Sequence, residues 1–325
     1  MFKFLRKKNK IIKKGKYEME FLHNYQKVSF DLSIVNELSK TNSQKLIKDA
    51  ETLYRKQIDE IASEIIERGN IKVVLLAGPS SSGKTTSSNL IRKRLSEAGY
   101  ESLVISMDDF FLNREQTPKL PSGDYDYENV TALDLNYLNK FISDLYDKGE
   151  ADMPIFNFVT GSREEKYNHI KLTDKTIIIM EGIHALNPLV FTKHTENMYK
   201  IYICFNTNFS IGEKTVLPAK KLRLMRRLIR DNRTRGMSLE ATFNMWQNVL
   251  AGEDLFIKPF KNRADYLINS THAYEPLMYA KHLLPVLKQE KPTPAVNNLI
   301  EMLSLCETMD ASLLPEDSLL HEFLG

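Results

Sequence analysis

The stretch Gly78-Pro79-Ser80-Ser81-Ser82-Gly83-Lys84-Thr85-Thr86 limits this chain to few architectures. Two glycines let a backbone curl its N–H groups around phosphate oxygens. The lysine meets the β/γ charge, and the hydroxyl after it suits magnesium. The aliphatic run Ile71 to Ala77 precedes the loop, and Leu90, Ile91 and Leu95 follow at helical spacing until Gly99 offers a stop. A Gly/Ser turn of no chemical consequence would not need these flanks. Strand, loop and helix together predict a nucleoside triphosphate gripped by Gly78, Ser80, Ser81, Ser82, Gly83, Lys84, Thr85 and Thr86.

The 325 residues, 42% of them hydrophobic, suffice for one large core with a small appendage. A net charge of +3 does not by itself point to nucleic acid. The basic residues are nevertheless uneven: Lys3, Arg6, Lys7, Lys8, Lys10, Lys13, Lys14 and Lys16 crowd the start, interleaved with Phe2, Phe4, Leu5, Ile11 and Ile12. This reads as a solvated leader, with contact to anionic lipid or RNA as the alternative. No apolar run has the roughly 18 residues of a membrane span. Cys204 and Cys306 stand far apart without zinc spacing. A reduced, cytoplasmic protein is expected, its oligomeric state open and a homo-oligomer included.

From Ser43 to Arg68 apolar residues recur at helical spacing, giving a lead-in helix that stops at Gly69. Beyond it, short β-rich runs alternate with helical segments, the pattern of a parallel sheet covered by helices. The expected strands are Ile71 to Ala77, Ser102 to Met107, Thr176 to Met180, Lys200 to Phe205 and Tyr266 to Ile268. Helices are expected from Thr131, opened by a capping-box-like Thr131/Asp134, to Lys148, over Lys220 to Arg235, and from Glu275 to Leu287. Two prolines in Lys291 to Pro294 suggest a joint to a helical appendage with Leu299, Ile300, Leu303 and Leu305. The expected division is thus a leader and lead-in helix over 1–70, an α/β P-loop domain with a parallel-sheet core over 71–289, and a C-terminal helical appendage over 290–325.

The second strand ends in Met107-Asp108-Asp109-Phe110-Phe111, which in a parallel sheet puts carboxylates at the rim where ligands bind. A carboxylate there can take a proton from an attacking hydroxyl or order magnesium, although a DD pair also caps loops. Thr176 to Met180 is followed by Glu181, an acid placed as a magnesium anchor facing the loop hydroxyl. Arg223, Arg226, Arg227 and Arg230 share one helical face, with Arg233 and Arg235 beyond, able to spread the charge of a transferring phosphoryl group. No Asn-Lys-x-Asp segment is present to read guanine, so a GTPase is disfavoured.

GPSSSGKTT, MDDFF, YDYENVTALD, FNFVTGSR, MEGIHALNP, RRLIRDNRTRG and KPFKNRADYLINS resemble, in order and residue type, the motifs of the uridine kinase and phosphoribulokinase family. The resemblance runs from about Ile71 to Leu287 and extends to uridine-kinase-like proteins of bacteria. It implies a kinase that uses ATP and Mg2+, with Asp108 as catalytic base and Thr85, Asp108 and Glu181 as the metal site. Lys84 would hold the β/γ phosphates, and Arg226, Arg227, Arg230 and Arg235 would form a lid. On the acceptor side it implies Glu128 against ribose hydroxyls, with Asp126 the alternative, and Phe111, Phe156, Phe158 and Arg163 around the acceptor. The sequence departs from the uridine kinases at Phe156, where they usually have tyrosine, and at Gly161, where they have a histidine that bonds the pyrimidine. Two polar contacts to the base are thereby absent. A pyrimidine nucleoside is the favoured acceptor, with another ribosyl or small hydroxylated molecule as the alternative. A simple ATPase and a nucleotide-binding regulatory or RNA-associated protein are the rivals.

Overall fold

The computed structural model describes residues 5–7, 28–193 and 195–325. Apart from residues 5–7, the basic leader lies outside them. In chain order the elements are β1 (Leu5–Lys7), β2 (Val28–Asp31), α1 (Leu32–Thr41), α2 (Ser43–Arg68), β3 (Val73–Ala77), α3 (Lys84–Glu97), β4 (Glu101–Ser106), α4 (Leu135–Lys148), β5 (Glu150–Asn157), β6 (Ser162–Lys171) and β7 (Thr176–Glu181). There follow β8 (Met198–Cys204), β9 (Thr207–Ile211), β10 (Lys214–Leu217), α5 (Ala219–Arg235), α6 (Leu239–Phe256), β11 (Tyr266–Asn269), α7 (Glu275–Leu287), α8 (Pro294–Leu303) and the short α9 (His321–Leu324).

Five strands in the order β11-β8-β3-β7-β4, all parallel, make the central sheet. Every residue of β3 and β7 is buried, as expected of strands covered on both faces. Their alternation sorts the core into two layers. Val74, Leu76, Ile177, Ile179, Tyr199, Ile201 and Ile203 face one cluster with α2, α3, α5 and α7, whereas Val73, Leu75, Ile178, Met180 and Tyr202 face another with α4. Each such Val, Leu or Ile contributes roughly 1.5–3 kcal/mol by leaving water, and together they fix the register that aligns the strand ends.

Helix α2 has the limits the sequence predicts, because Asn42 accepts from the Lys45 N–H at its start and Gly69, at φ +66°, ends it. The α4 helix starts later than expected. Asn129 caps a single 3-10 turn over Val130–Ala132, and Asp134, not Thr131, then caps α4 through the Tyr137 N–H. Two caps in series merge into one apparent start when only residue spacing is read.

Two features go beyond the expected strands. The β5–β6 hairpin stands outside the central sheet, and a second, small sheet has the order β1-β2-β9-β10. Beyond residue 290 the chain returns to the main core: Val296, Leu299, Leu303, Leu319, Leu320, Phe323 and Leu324 are buried in the cluster that contains α2 and α5. The last helix before this tail ends at Leu303, so Leu305, expected within it, lies beyond its end and is partly exposed. Cys204 and Cys306 are free thiols. Among the described residues no helix is long and apolar enough to cross a membrane.

Candidate active site

The loop from Gly78 to Gly83 leaves the end of β3 and delivers the N-terminus of α3. A Cβ on Gly78 would lie 2.7 Å from the Ile203 carbonyl and 2.9 Å from Ser82 Oγ, so glycine is required where the loop slips past β8. Gly83 sits at φ +90°, and Ser81, at φ +61°, is the one non-glycine among the described residues with positive φ. That conformation costs about 1–2 kcal/mol and is typical of strain held at ligand sites. Both Ser81 Oγ and Ser82 Oγ are buried without a hydrogen-bond partner. They join the first N–H groups of α3, which have no partner within the helix, in a polar cradle suited to an anion. Lys84 Nζ donates to the loop's own Pro79 carbonyl at 3.4 Å, and Thr85 is exposed.

The acids lie at the adjoining strand ends. Glu181, the last residue of β7, pairs in register with Leu76 of β3 on one side and Ser106 of β4 on the other. Asp108 follows in a 3-10 turn over Met107–Phe110 that Ser106 caps through the Asp108 N–H. Burial raises the Asp108 carboxyl above its ordinary range, opposed by the charges of Lys84, Arg235 and Arg230. Burial likewise pushes Glu181 up to about 7, with Lys84 pulling it down and the charge of Asp108 pushing it further up. Loop lysine, both carboxylates and the arginine helix therefore share one electrostatic environment. The sequence places these residues at separate strand ends, and the sheet brings them together.

Magnesium takes oxygen ligands and is usually held by one or two carboxylates plus substrate phosphates. Two acids that feel each other's charge, both raised by burial above the ordinary carboxylate range, suit such an ion without a cage of their own, and the exposed Thr85 follows directly on the loop lysine. Among the described residues no cluster of three His, Cys, Asp or Glu side chains supplies one.

Helix α5 carries the arginines, and they do not act alike. Arg227 donates to Ser80 Oγ of the loop at 3.0 Å. Arg227, Arg230 and Arg235 all pair with the fully buried Asp231, at 3.1, 2.8 and 3.6 Å. Asp231 is thus a hub that holds three guanidinium groups close to one another despite their repulsion, a role the spacing of the arginines does not reveal. Arg226 departs from the lid and nucleotide-contact role expected of it. It is fully buried, binds both carboxylate oxygens of Glu275, donates to the Ser270 carbonyl at 2.8 Å, and lies between the rings of Phe205 and Phe323. Its 3.4 Å contact with the Ser82 carbonyl makes it a support beneath the loop.

Glu128, expected on the acceptor side, is brought within the electrostatic reach of Lys84 and Arg227. Its carboxyl is buried with Oε2 unpartnered, and burial pushes it up to about 7 against the charges of Arg227, Lys84 and Arg223. The Glu128 Cβ rests against Gly252 of α6, where any larger residue would collide with it. Asp126 is only half-buried, and the hydrogen bonds described for it are made by its backbone, to Pro118 and Asn129. His184, which the motif reading passed over, is buried in the same region, and burial pushes it down to about 4, so it is neutral. Its ring nitrogens approach the carbonyls of Phe256 and Glu128 without reaching good hydrogen-bond geometry.

The aromatic residues form a connected group. Phe111 packs edge-on to Tyr127 at 5.9 Å and against Phe156 at 5.9 Å, and Phe156 meets Phe158 at 5.2 Å. Phe156 is buried, whereas Phe158 is 62% exposed and free to meet a ligand. Arg163 differs from expectation: its guanidinium donates to the carbonyls of Phe110 and Phe111 and pairs with Asp134. It clamps the β5–β6 hairpin to the Asp108 segment, aided by the Phe156 N–H bonded to Asp109. At Gly161, φ +71°, a Cβ would lie 2.5–2.7 Å from the Arg114 guanidinium, so no side chain fits there without displacing that arginine.

A parallel sheet in this order, a phosphate loop after its middle strand, acids at the next two strand ends and an arginine helix define a P-loop phosphotransferase. Comparison with known proteins agrees. The sequence model of the Phosphoribulokinase / Uridine kinase family matches residues 73–275, and the chain belongs to that family. It is 28% identical over 200 residues to a uridine kinase of Staphylococcus haemolyticus, covering 61% of this chain and 87% of that one. A uridine kinase of Lactobacillus johnsonii is 28% identical over 197 residues, covering 60% and 85%. Among solved structures, a candidate fructose transport system kinase from a Silicibacter species shares the fold, with TM-score 0.51 and 20% identity over 65% of this chain and 98% of its own.

Proposed function

We propose that this chain is an MgATP-dependent kinase that phosphorylates the primary hydroxyl of a nucleoside, uridine or cytidine first. The observation that carries the reading is the convergence of Lys84, Arg230 and Arg235 on the enclosed carboxylate of Asp108, beside Glu181. In it Asp108 takes the hydroxyl proton, Lys84 holds the β/γ phosphates, and Arg227, Arg230 and Arg235 spread the charge of the phosphoryl group in flight. Thr85, Asp108 and Glu181 would hold Mg2+, whose chemistry is to neutralise phosphate charge. Glu128, its buried Oε2 unpartnered, would accept from vicinal ribose hydroxyls, and Phe158 would stack on the acceptor. Phosphoryl transfer asks mainly for positioning and charge, and this site supplies both.

A second reading of the acceptor rests on Gly161. The family's base-contacting side chain is absent there, and Arg114 fills the space, which favours a different ribosyl or small polyhydroxylated acceptor. The test is ATP consumption with and without a panel of nucleosides, pentoses and sugar acids. Acceptor-dependent turnover is expected. Turnover that ignores every acceptor would make the chain an ATPase, and none at all a nucleotide-binding module. Lys84→Ala and Asp108→Ala should each lower transfer by at least about a thousandfold, the latter with ATP binding retained. Full activity of Asp108→Ala sinks the mechanism.

A further inference from the structure

The residue after the loop threonine, Thr86, is already engaged. Its N–H donates to Glu322 Oε2 at 3.2 Å and its hydroxyl to the same oxygen at 2.8 Å, across 236 residues of sequence. Thr86 is the third residue of α3, so its N–H is one of the helix's orphan donors. Donors of this kind are the ones that phosphate oxygens take at a loop-to-helix junction. The carboxylate comes from α9, whose surroundings are also the donor site. Leu319 packs against Gly83 so closely that a Cβ there would collide with it. Phe323 lies over the Arg226 guanidinium at 4.8 Å. The charge of Glu322 is felt at Glu181, where it adds to the repulsion that favours the protonated acid. Beside the Thr86 contact opens a groove of about 720 Å3, lined in part by Asn89, Lys93 and His321, so a ligand can reach Thr86 from solvent.

We infer that the C-terminal segment is a latch which the donor nucleotide displaces, Glu322 standing on Thr86 where a phosphate of the nucleotide would bind. This rests on the reading of the loop as an MgATP site. A carboxylate and a phosphate cannot share the two Thr86 donors, and their charges repel. Binding must therefore move Glu322 away, and the buried neighbours Leu319 and Phe323 make that movement costly. The opposing reading is that Glu322 is a permanent cap of α3 that stays bonded with nucleotide present.

The two separate in a binding experiment on the full chain. Titration with Mg-AMPPNP, followed by calorimetry, should show Glu322→Ala binding on the order of tenfold tighter than the parent, about 1.4 kcal/mol. Glu322→Gln, which keeps the shape and loses the charge, should fall between them and guards against a loss of fold. Hydrogen exchange of residues 318–324 in the parent should accelerate when Mg-AMPPNP binds. Unchanged or weaker binding by both variants, or a tail further protected by nucleotide, overturns the latch and leaves the cap. If neither the parent nor the variants bind Mg-AMPPNP, the kinase reading falls and the latch falls with it.

Discussion

Single residues set the chemistry here by being enclosed near partners of chosen sign. Asp231 is the plainest case: one buried carboxylate gathers Arg227, Arg230 and Arg235, so the positive charge of α5 is assembled in the nucleotide-free chain. Glu181 shows the converse, a carboxylate that burial holds at about 7 against an ordinary 4.5. Between those two values the folded chain keeps a proton that the unfolded chain has released, so raising the pH through this window destabilises the fold. The loss attributable to Glu181 is at most roughly 3 kcal/mol. Glu128, also raised to about 7, adds in the same direction. The melting temperature of the nucleotide-free protein should therefore fall from about pH 5 to about pH 8, and Glu181→Gln should flatten the curve. If Mg2+ sits against the ionised Glu181 as proposed, addition of MgATP should flatten it as well. A midpoint that climbs across this range would contradict the assignment. For the same reason kcat/KM for MgATP, which reports the free enzyme, should rise as the pH rises through about 7, where Glu181 and Glu128 become anionic.

At the scale of elements, the site depends on how the β5–β6 hairpin is fastened to the end of β4. Arg163 provides most of that fastening through two carbonyls and Asp134, and Asp134 is also the cap of α4. Arg163→Ala should cost about 2–4 kcal/mol by stranding a half-buried carboxylate and two carbonyls. Because the hairpin borders the proposed acceptor side, its KM for the acceptor should rise more than its KM for ATP. Equal changes in both would point to a general loss of fold. This hairpin was not among the elements legible in the sequence. Its β6 strand exposes every residue from Glu164 to His169, with neither an alternation of buried and exposed positions nor the apolar run that marks a buried strand. The five central strands and helices α2, α5 and α7 were legible because burial on two faces, or a stripe plus caps, leaves a periodic trace. That Lys84, Asp108, Glu181 and Arg230 would gather at one rim was legible from loop pattern, strand ends and helical spacing, whereas Arg235 was singled out only by the family resemblance. The same spacing put Arg226 and Arg227 together, and only their distant partners, Glu275 and Ser80, divide support from contact. The pairing of Thr86 with Glu322 joins segments too far apart for any local pattern to register.

For the whole molecule the question is whether the tail belongs to the kinase core or merely hangs from it. Leu319, Leu320 and Phe323 are wholly enclosed, in the cluster that also holds Ile91 of α3, Met225 of α5 and the chain's single tryptophan, Trp246. A hydrophobic cluster that takes in the lead-in helix, the phosphate-loop helix, the arginine helix and the tail should melt as one unit. Phe323→Ala removes a fully buried ring that also faces Arg226, so it should destabilise the fold by about 3–5 kcal/mol. Urea unfolding followed by Trp246 fluorescence should then shift together with the far-ultraviolet dichroism, both to lower denaturant. A loosely attached appendage would give a different result, in which the dichroism loses a small early step while the Trp246 transition stays in place. Coincident shifts also set how the proposed latch can work. A tail that shares the main core can release Glu322 only by a local movement of its last turn, so nucleotide affinity and global stability would be coupled through Leu319 and Phe323. Phe323→Ala should then weaken the hold of α9 on Thr86 and raise nucleotide affinity even as the fold loses stability.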